Sequence, residues 1–251
     1  MRRLTFQAKI ALLGAAAMAS LLMYVRPAAA GPPFVTDDPE PTDLGHWEIY
    51  NFASGIGIPG GLLGEAGLDL NYGGFKDVQL NATLPIAFQP HAALGVGEVE
   101  LALKYRFLHQ AGGSWVPDVA VFPRVFLPTA SPQFGPSRLN LFLPVWAQKD
   151  WGKWSAFGGG GYGVNPGPGN RDYWLGGMAL TRAVSDRLTL GGEIYRQTAQ
   201  LQGERAFTAI NAGAIYKLTD HWAIVVSGGP GVENAREDCR YDFYLSLEAT
   251  Y

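Results

Sequence analysis

The 251-residue chain is 47% hydrophobic and 12% aromatic but only 16% charged, and its net charge is −3. With no basic stripe, that balance excludes a nucleic-acid-binding protein, and the single cysteine, Cys239, excludes an internal disulfide and a thiolate metal site. The 33 glycines and 17 prolines suit many strands joined by turns, and the length suits one all-β domain.

Residues 1–30 read as a secretory signal peptide. Arg2 and Arg3 give a basic start, 10–25 an apolar run, and Ala28-Ala29-Ala30 before Gly31 a small-residue cleavage site. That site argues against the alternative of an uncleaved anchor. No second apolar run approaches the roughly 18 to 20 residues that a membrane helix needs, so any bilayer would be crossed by strands. Residues 31–44 form an acidic, proline-rich stretch without repetitive structure. Asp37, Asp38 and Glu40 carry the hard oxygens a divalent cation takes, but their spacing fits no ligand loop, and a solvated acidic turn is the better reading.

From residue 45 to 251 the polarity alternates with a period of two. Segments 46–54, 65–72 and 78–84 come first. The clearest is 98–107, where Val99, Leu101, Leu103, Tyr105 and Phe107 oppose Glu98, Glu100, Ala102, Lys104 and Arg106. A helix would scatter those charges around its circumference; only a strand separates them. Further segments follow at 118–127, 139–148, 153–164, 171–184, 187–198, 206–218 and 221–229. The run Gly158 to Gly161 has neither the helix nor the lysine of a phosphate cradle, and reads as a strand that a neighbour approaches closely. In the last segment, 241–251, the apolar and polar parities separate again and the final residue is Tyr251. Such a strand is expected to pair with the first and close a sheet into a barrel.

The count is about twelve strands, near the roughly 9 to 11 residues that span a bilayer at a tilt. Connections at 73–77, 149–152, 185–186 and 219–220 are short. Those at 55–64, 89–97, 128–138, 165–170 and 230–239 are longer, while 109–115 and 199–204 blur the alternation. Short periplasmic turns and longer outer loops characterise outer-membrane barrels. Aromatic residues such as Trp47, Tyr72, Tyr105, Trp151, Tyr173, Trp174, Trp222 and Tyr251 gather near segment ends, where a membrane meets water.

The opening GPPFVTDDPEPTDLGHWEIYNF, the later GEVELALKYRFL and DVAVFPRVFLPT, and the aromatic end together resemble a known group. They are similar to the bacterial outer-membrane "transporter" family, also labelled meta-pathway of phenol degradation proteins. The resemblance implies an outer-membrane barrel passing small, aromatic or otherwise hydrophobic solutes. It brings no catalytic residue and no cofactor. Its expected partners are outer-membrane lipid, a small-molecule solute and the barrel-assembly machinery.

With the apolar parity facing lipid, Glu98, Glu100, Lys104, Arg106, Asp118, Arg124, Glu193 and Lys217 face the lumen. They form either a selectivity constriction or a ladder of inward salt bridges. Phe122, Phe126, Phe142 and Trp146 also point inward. They are either an aromatic wall for an apolar solute or space-filling residues packed on residues 31–44 acting as a plug. A lipid-acting enzyme would need a nucleophile beside a histidine, and of His46, His91, His109 and His221 only His91 lies near the outer leaflet. A structural barrel without transport is the third class, and short outer loops disfavour adhesion. Cys239 is either a reactive thiol or, the better reading, an idle loop residue. Twelve strands stand between a filled barrel and an open channel, so the sequence leaves conduction open.

Overall fold

In the computed structural model the described residues are 33–134 and 138–251. The proposed signal peptide and cleavage site lie outside them. Fourteen strands appear in chain order: β1 Trp47–Ile58, β2 Gly61–Phe75, β3 Val78–Phe88, β4 Gly95–Val96, β5 Glu100–Leu108, β6 Asp118–Val121 and β7 Arg124–Phe126. They continue with β8 Asn140–Trp151, β9 Trp154–Val164, β10 Tyr173–Ala183, β11 Leu188–Gln197, β12 Phe207–Lys217, β13 Trp222–Glu233 and β14 Tyr241–Thr250. β6 and β7 are halves of one stave, interrupted where Pro123 has no N–H to give the ladder. β4 is a two-residue addition to β3. The barrel wall therefore has twelve antiparallel staves.

The sheet closes where β14 pairs with β1, from Glu48↔Thr250 to Gly57↔Tyr241. The Trp47 and Tyr251 backbones exchange two hydrogen bonds of 2.8 and 3.0 Å at the end of that seam. Side chains alternate as the period demands. On β5, Leu101, Leu103, Tyr105 and Phe107 are exposed on the outside, while Lys104 is buried on the inside. The outer surface carries a broad set of exposed apolar side chains, among them Leu80, Leu143, Val145, Leu180, Ile194, Ile210 and Leu247. In water that surface would be a liability; against lipid it is what holds the barrel in place.

Three expectations need correction. Residues 55–64 are not a long loop: β1 and β2 run on into a two-residue hairpin at 59–60, with Gly60 at φ +97° and Gly61 at φ +152° supplying the turn. Tyr173, expected at the membrane–water interface, points inward and stacks on Phe142 with ring centroids 6.0 Å apart. The acidic stretch is not solvated. It turns back into the barrel, with Thr36, Asp38 and Thr42 buried and Pro39 fully enclosed.

The glycine run of β9 serves close approach, as its composition suggests. Gly159 has φ +151°, and a Cβ there would stand 2.1 Å from the Val145 carbonyl oxygen and 3.1 Å from the Trp146 ring. The missing side chain makes the space that Trp146 fills.

Candidate functional site in the lumen

The site is built by the wall and by the segment folded inside it. The segment begins against β9, β11 and β12, where Phe34 lies over Gly191 and Gly213 and faces Phe157. The Val35 and Thr36 amides donate to the Glu193 carboxylate on β11, and Ser227 on β13 donates to the Pro33 carbonyl. The chain then crosses the lumen. Asp37 meets Lys104 Nζ at 3.0 Å and Arg124 Nη2 at 2.6 Å, and Lys104 Nζ also stands 3.7 Å from Asp38. Near the exit the Thr42 amide donates to Gln79 Oε1 at 2.9 Å, before Gly45 bonds the Gly73 carbonyl at the barrel end. The side chains that hold the segment by polar contacts, Gln79, Lys104, Arg124, Glu193 and Ser227, all come from inward parities of strands. The segment is therefore fixed by the same alternation that builds the wall.

Charge within the segment follows from these contacts. Burial would raise the Asp37 carboxyl, but Lys104 and then Arg124 outweigh it and hold Asp37 below its ordinary value. Burial dominates at Asp38 and pushes it well up, and one of its oxygens has no hydrogen-bond partner. Glu40 is raised by burial to about 7; Arg106 opposes this and Asp150 and Asp118 add to it.

A cavity of about 490 Å³ remains beside the segment. Carboxylates border it: Asp37, Asp38, Glu40, Glu48, Glu65, Asp69, Glu100 and Asp242. The cations are Lys104 and Arg124, and the rings include Tyr50, Phe122, Phe126, Phe142, Tyr173, Phe243 and Tyr244. Of the residues singled out in the sequence, Phe122, Phe126 and Phe142 reach this cavity together with Glu100, Lys104 and Arg124. Phe122 is clasped by both cations, with Lys104 Nζ 4.9 Å and Arg124 Cζ 4.3 Å from its ring. Trp146 does not border the cavity. It is 1% exposed and packs behind Phe122 and Phe142 as their support.

The remaining charged positions fall elsewhere. Glu98 lies just before β5 and accepts from Asn140 at 3.2 Å. Arg106 points to the opposite end, pairing with Asp77 at 3.2 Å and approaching Asp118 at 3.9 Å. Glu65 and Asp69 stand on the polar parity of β2 opposite Ala66 and Leu68, so the period that revealed Lys104 also carried them. Tyr173 had no such signal, because Tyr173 and Trp174 are aromatic on both parities.

The profile of the family described as "Putative MetA-pathway of phenol degradation" matches residues 44–240. The chain belongs to that family. No curated protein matches it in sequence. Among solved structures, it is similar to the COG4313 outer membrane channel from Pseudomonas putida F1 at 14% identity and a TM-score of 0.62. That likeness covers 91% of this chain and 100% of that one. It is also similar to the NanC porin at 8% identity and a TM-score of 0.55, over 82% of this chain and 99% of that one. At such identities the likeness speaks for a shared barrel fold, in agreement with the twelve staves and the β1–β14 seam.

The histidines gather no catalytic group among the described residues. His46 Nδ1 lies 3.2 Å from the Leu44 carbonyl, and His221 Nδ1 lies 2.8 Å from that of Thr250, with its ring stacked on Tyr251. His109 meets Asp77 and Asp118 at the barrel end. Cys239 is fully buried against Tyr195, Phe207 and Ala209. Burial pushes its thiol up to about 12, which keeps it protonated and a poor nucleophile.

Proposed function

We propose that this family member is an outer-membrane β-barrel that lets small apolar or aromatic solutes cross by passive diffusion. The observation that carries the reading is the joining of three inward rings, Phe122, Phe126 and Phe142, to a lumenal cavity in a closed barrel with an apolar exterior. An ordinary polar pore gains nothing from such a strip. An apolar solute exchanges water for ring contacts, at about 1.5–3 kcal/mol for each large apolar side chain fully covered. Glu98, Glu100, Lys104, Arg106 and Arg124 then set the polar character along the path. Membrane lipid surrounds the barrel, and the barrel-assembly machinery inserts it.

The test is uptake by a porin-deficient Gram-negative host expressing the protein. Entry of a hydrophobic aromatic compound is expected to rise while glycerol entry stays at the level of the empty strain. Phe126→Ala is expected to lower aromatic uptake severalfold with normal barrel yield. Trp146→Ala removes the support behind the strip and is expected to cost about 3–5 kcal/mol of stability. Equal uptake of both compounds with and without the protein overturns the reading.

A further inference from the structure

We propose that Lys104 and Arg124 form a recognition site for the carboxylate of an apolar or aromatic acid, and that the chain's own Asp37 occupies it as an internal stand-in. The inference rests on the solute path described above and adds the chemical class of the solute's polar end.

Asp37 is held from two sides, each carboxylate oxygen meeting a different cation: Oδ1 to Lys104 at 3.0 Å and Oδ2 to Arg124 at 2.6 Å. Both cations lie on inward parities of neighbouring staves, because Ala102 of β5 pairs with Arg124 of β7. Between them lies the Phe122 ring, so one carboxylate, two cations and one aromatic face form a single unit. Phe126 and Tyr173 border the same cavity beside it. A molecule with a carboxylate at one end and an aryl group at the other would match both halves. Its anion would take the place of Asp37 and its ring would lie on the apolar strip.

Charge balance requires replacement rather than addition. Lys104 keeps Asp38 at 3.7 Å and its bond to the Glu40 carbonyl at 3.3 Å, and Arg124 keeps Glu100 at 3.8 Å. A further anion beside Asp37 would find no unneutralised cation. An anion in place of Asp37 leaves the charge of the cluster unchanged and returns a short-chain carboxylate to water at no net electrostatic loss. Asp37 belongs to no strand and is held only by the contacts of its segment, whereas both cations are carried by strands of the wall. Burial makes the discrimination strong: an uncharged analogue would leave these desolvated cations on Asp37 and gain only the ring contacts.

The test is calorimetric titration of the purified full-length barrel at pH 7.5 with a matched pair, 4-phenylbutyrate and 4-phenylbutanol. The acid is expected to bind more tightly than the alcohol. Asp37→Asn removes the internal competitor and is expected to tighten phenylbutyrate about tenfold with no matching change for phenylbutanol. Adding Arg124→Gln to that variant is expected to reverse the gain, and heat-modifiable migration checks that each barrel is closed. In the unmodified protein, phenylbutyrate but not phenylbutanol is expected to speed hydrogen exchange at the Thr36 and Thr42 amides, which report docking of the segment. Equal binding of the two probes in both forms overturns the carboxylate site and leaves aromatic passage standing. Binding of neither probe by any form overturns both.

Discussion

Leu103 and Lys104 are adjacent in sequence and opposite in environment. Leu103 is 39% exposed on the outside of β5, and the Lys104 side chain is 5% exposed inside. Arginine at Leu103 would place a charge in the apolar belt and is expected to cost about 2–4 kcal/mol near the bilayer midplane. Arginine at Thr83 is expected to be far milder, because Thr83 borders the cavity and Asp69 offers a counter-ion. Denaturant titration in lipid vesicles compares the two, and equal losses would reject the inside–outside assignment. Glu40 gives a pH dependence at the same scale. Docked in the lumen its carboxyl titrates near 7, whereas its ordinary value is 4.5. The docked segment therefore binds more protons than the free one between those values. Its stabilising share is complete below about 4.5, declines through the window and is lost above about 7. Hydrogen exchange at the Thr36 amide is expected to quicken as pH rises through this range, and Glu40→Gln is expected to remove that component.

At the scale of elements, what the sequence revealed depended on whether one residue pattern had one physical meaning. Period two located the staves, and β5 began within two residues of the expected position. The hairpin at 59–60 is hidden because the eight glycines from residue 55 to residue 74 look like loop composition, although in β1 and β2 they allow close packing. Gly55 and Gly64 illustrate this: they face each other across the ladder, and a Cβ on Gly64 would meet the Ser54 carbonyl oxygen at 2.2 Å. The break at Pro123 was legible only as a proline, not as a division of one stave into β6 and β7. Gly159 offers a test of the close-approach argument. Gly159→Ala forces a side chain against the Val145 carbonyl at φ +151° and is expected to lower stability by about 1–3 kcal/mol. Gly152→Ala, with open space around it, places no side chain against a neighbour and carries only the backbone cost of φ +62°. A loss at Gly159 no larger than that at Gly152 would show that steric approach is not what the glycine run provides.

For the whole molecule the decisive contact is the seam. β14 and β1 are far apart in sequence, and their pairing alone converts a curved sheet into a barrel without edges. Tyr251 ends that seam with two backbone bonds to Trp47, and its ring packs on His221 and Trp222. Tyr251→Asp puts a charge at the end of the seam beside the short turn at 219–220 and is expected to reduce the closed, heat-modifiable form severalfold. Migration identical to the unmodified protein would remove the terminal ring from any role in assembly. Closure could be read from alternation. A plug made of residues 31–44 was one of two readings of the inward rings, but its anchors could not be read, because the partners of Asp37 and Thr36 lie 67 to 157 residues away and no local period joins them.

That segment is covalently joined to the wall it blocks. Only nine residues lie between Asp37 and Trp47, so the carboxylate is never farther from its two cations than a short leash permits. A tethered group of this kind behaves as though it were present at a local concentration of the order of millimolar. A free acid outside the cell therefore competes in proportion to its own abundance. Scarce solute would find the lumen held by Asp37, and the same barrel would become steadily more accessible as the solute accumulates, with no sensor or energy source beyond mass action.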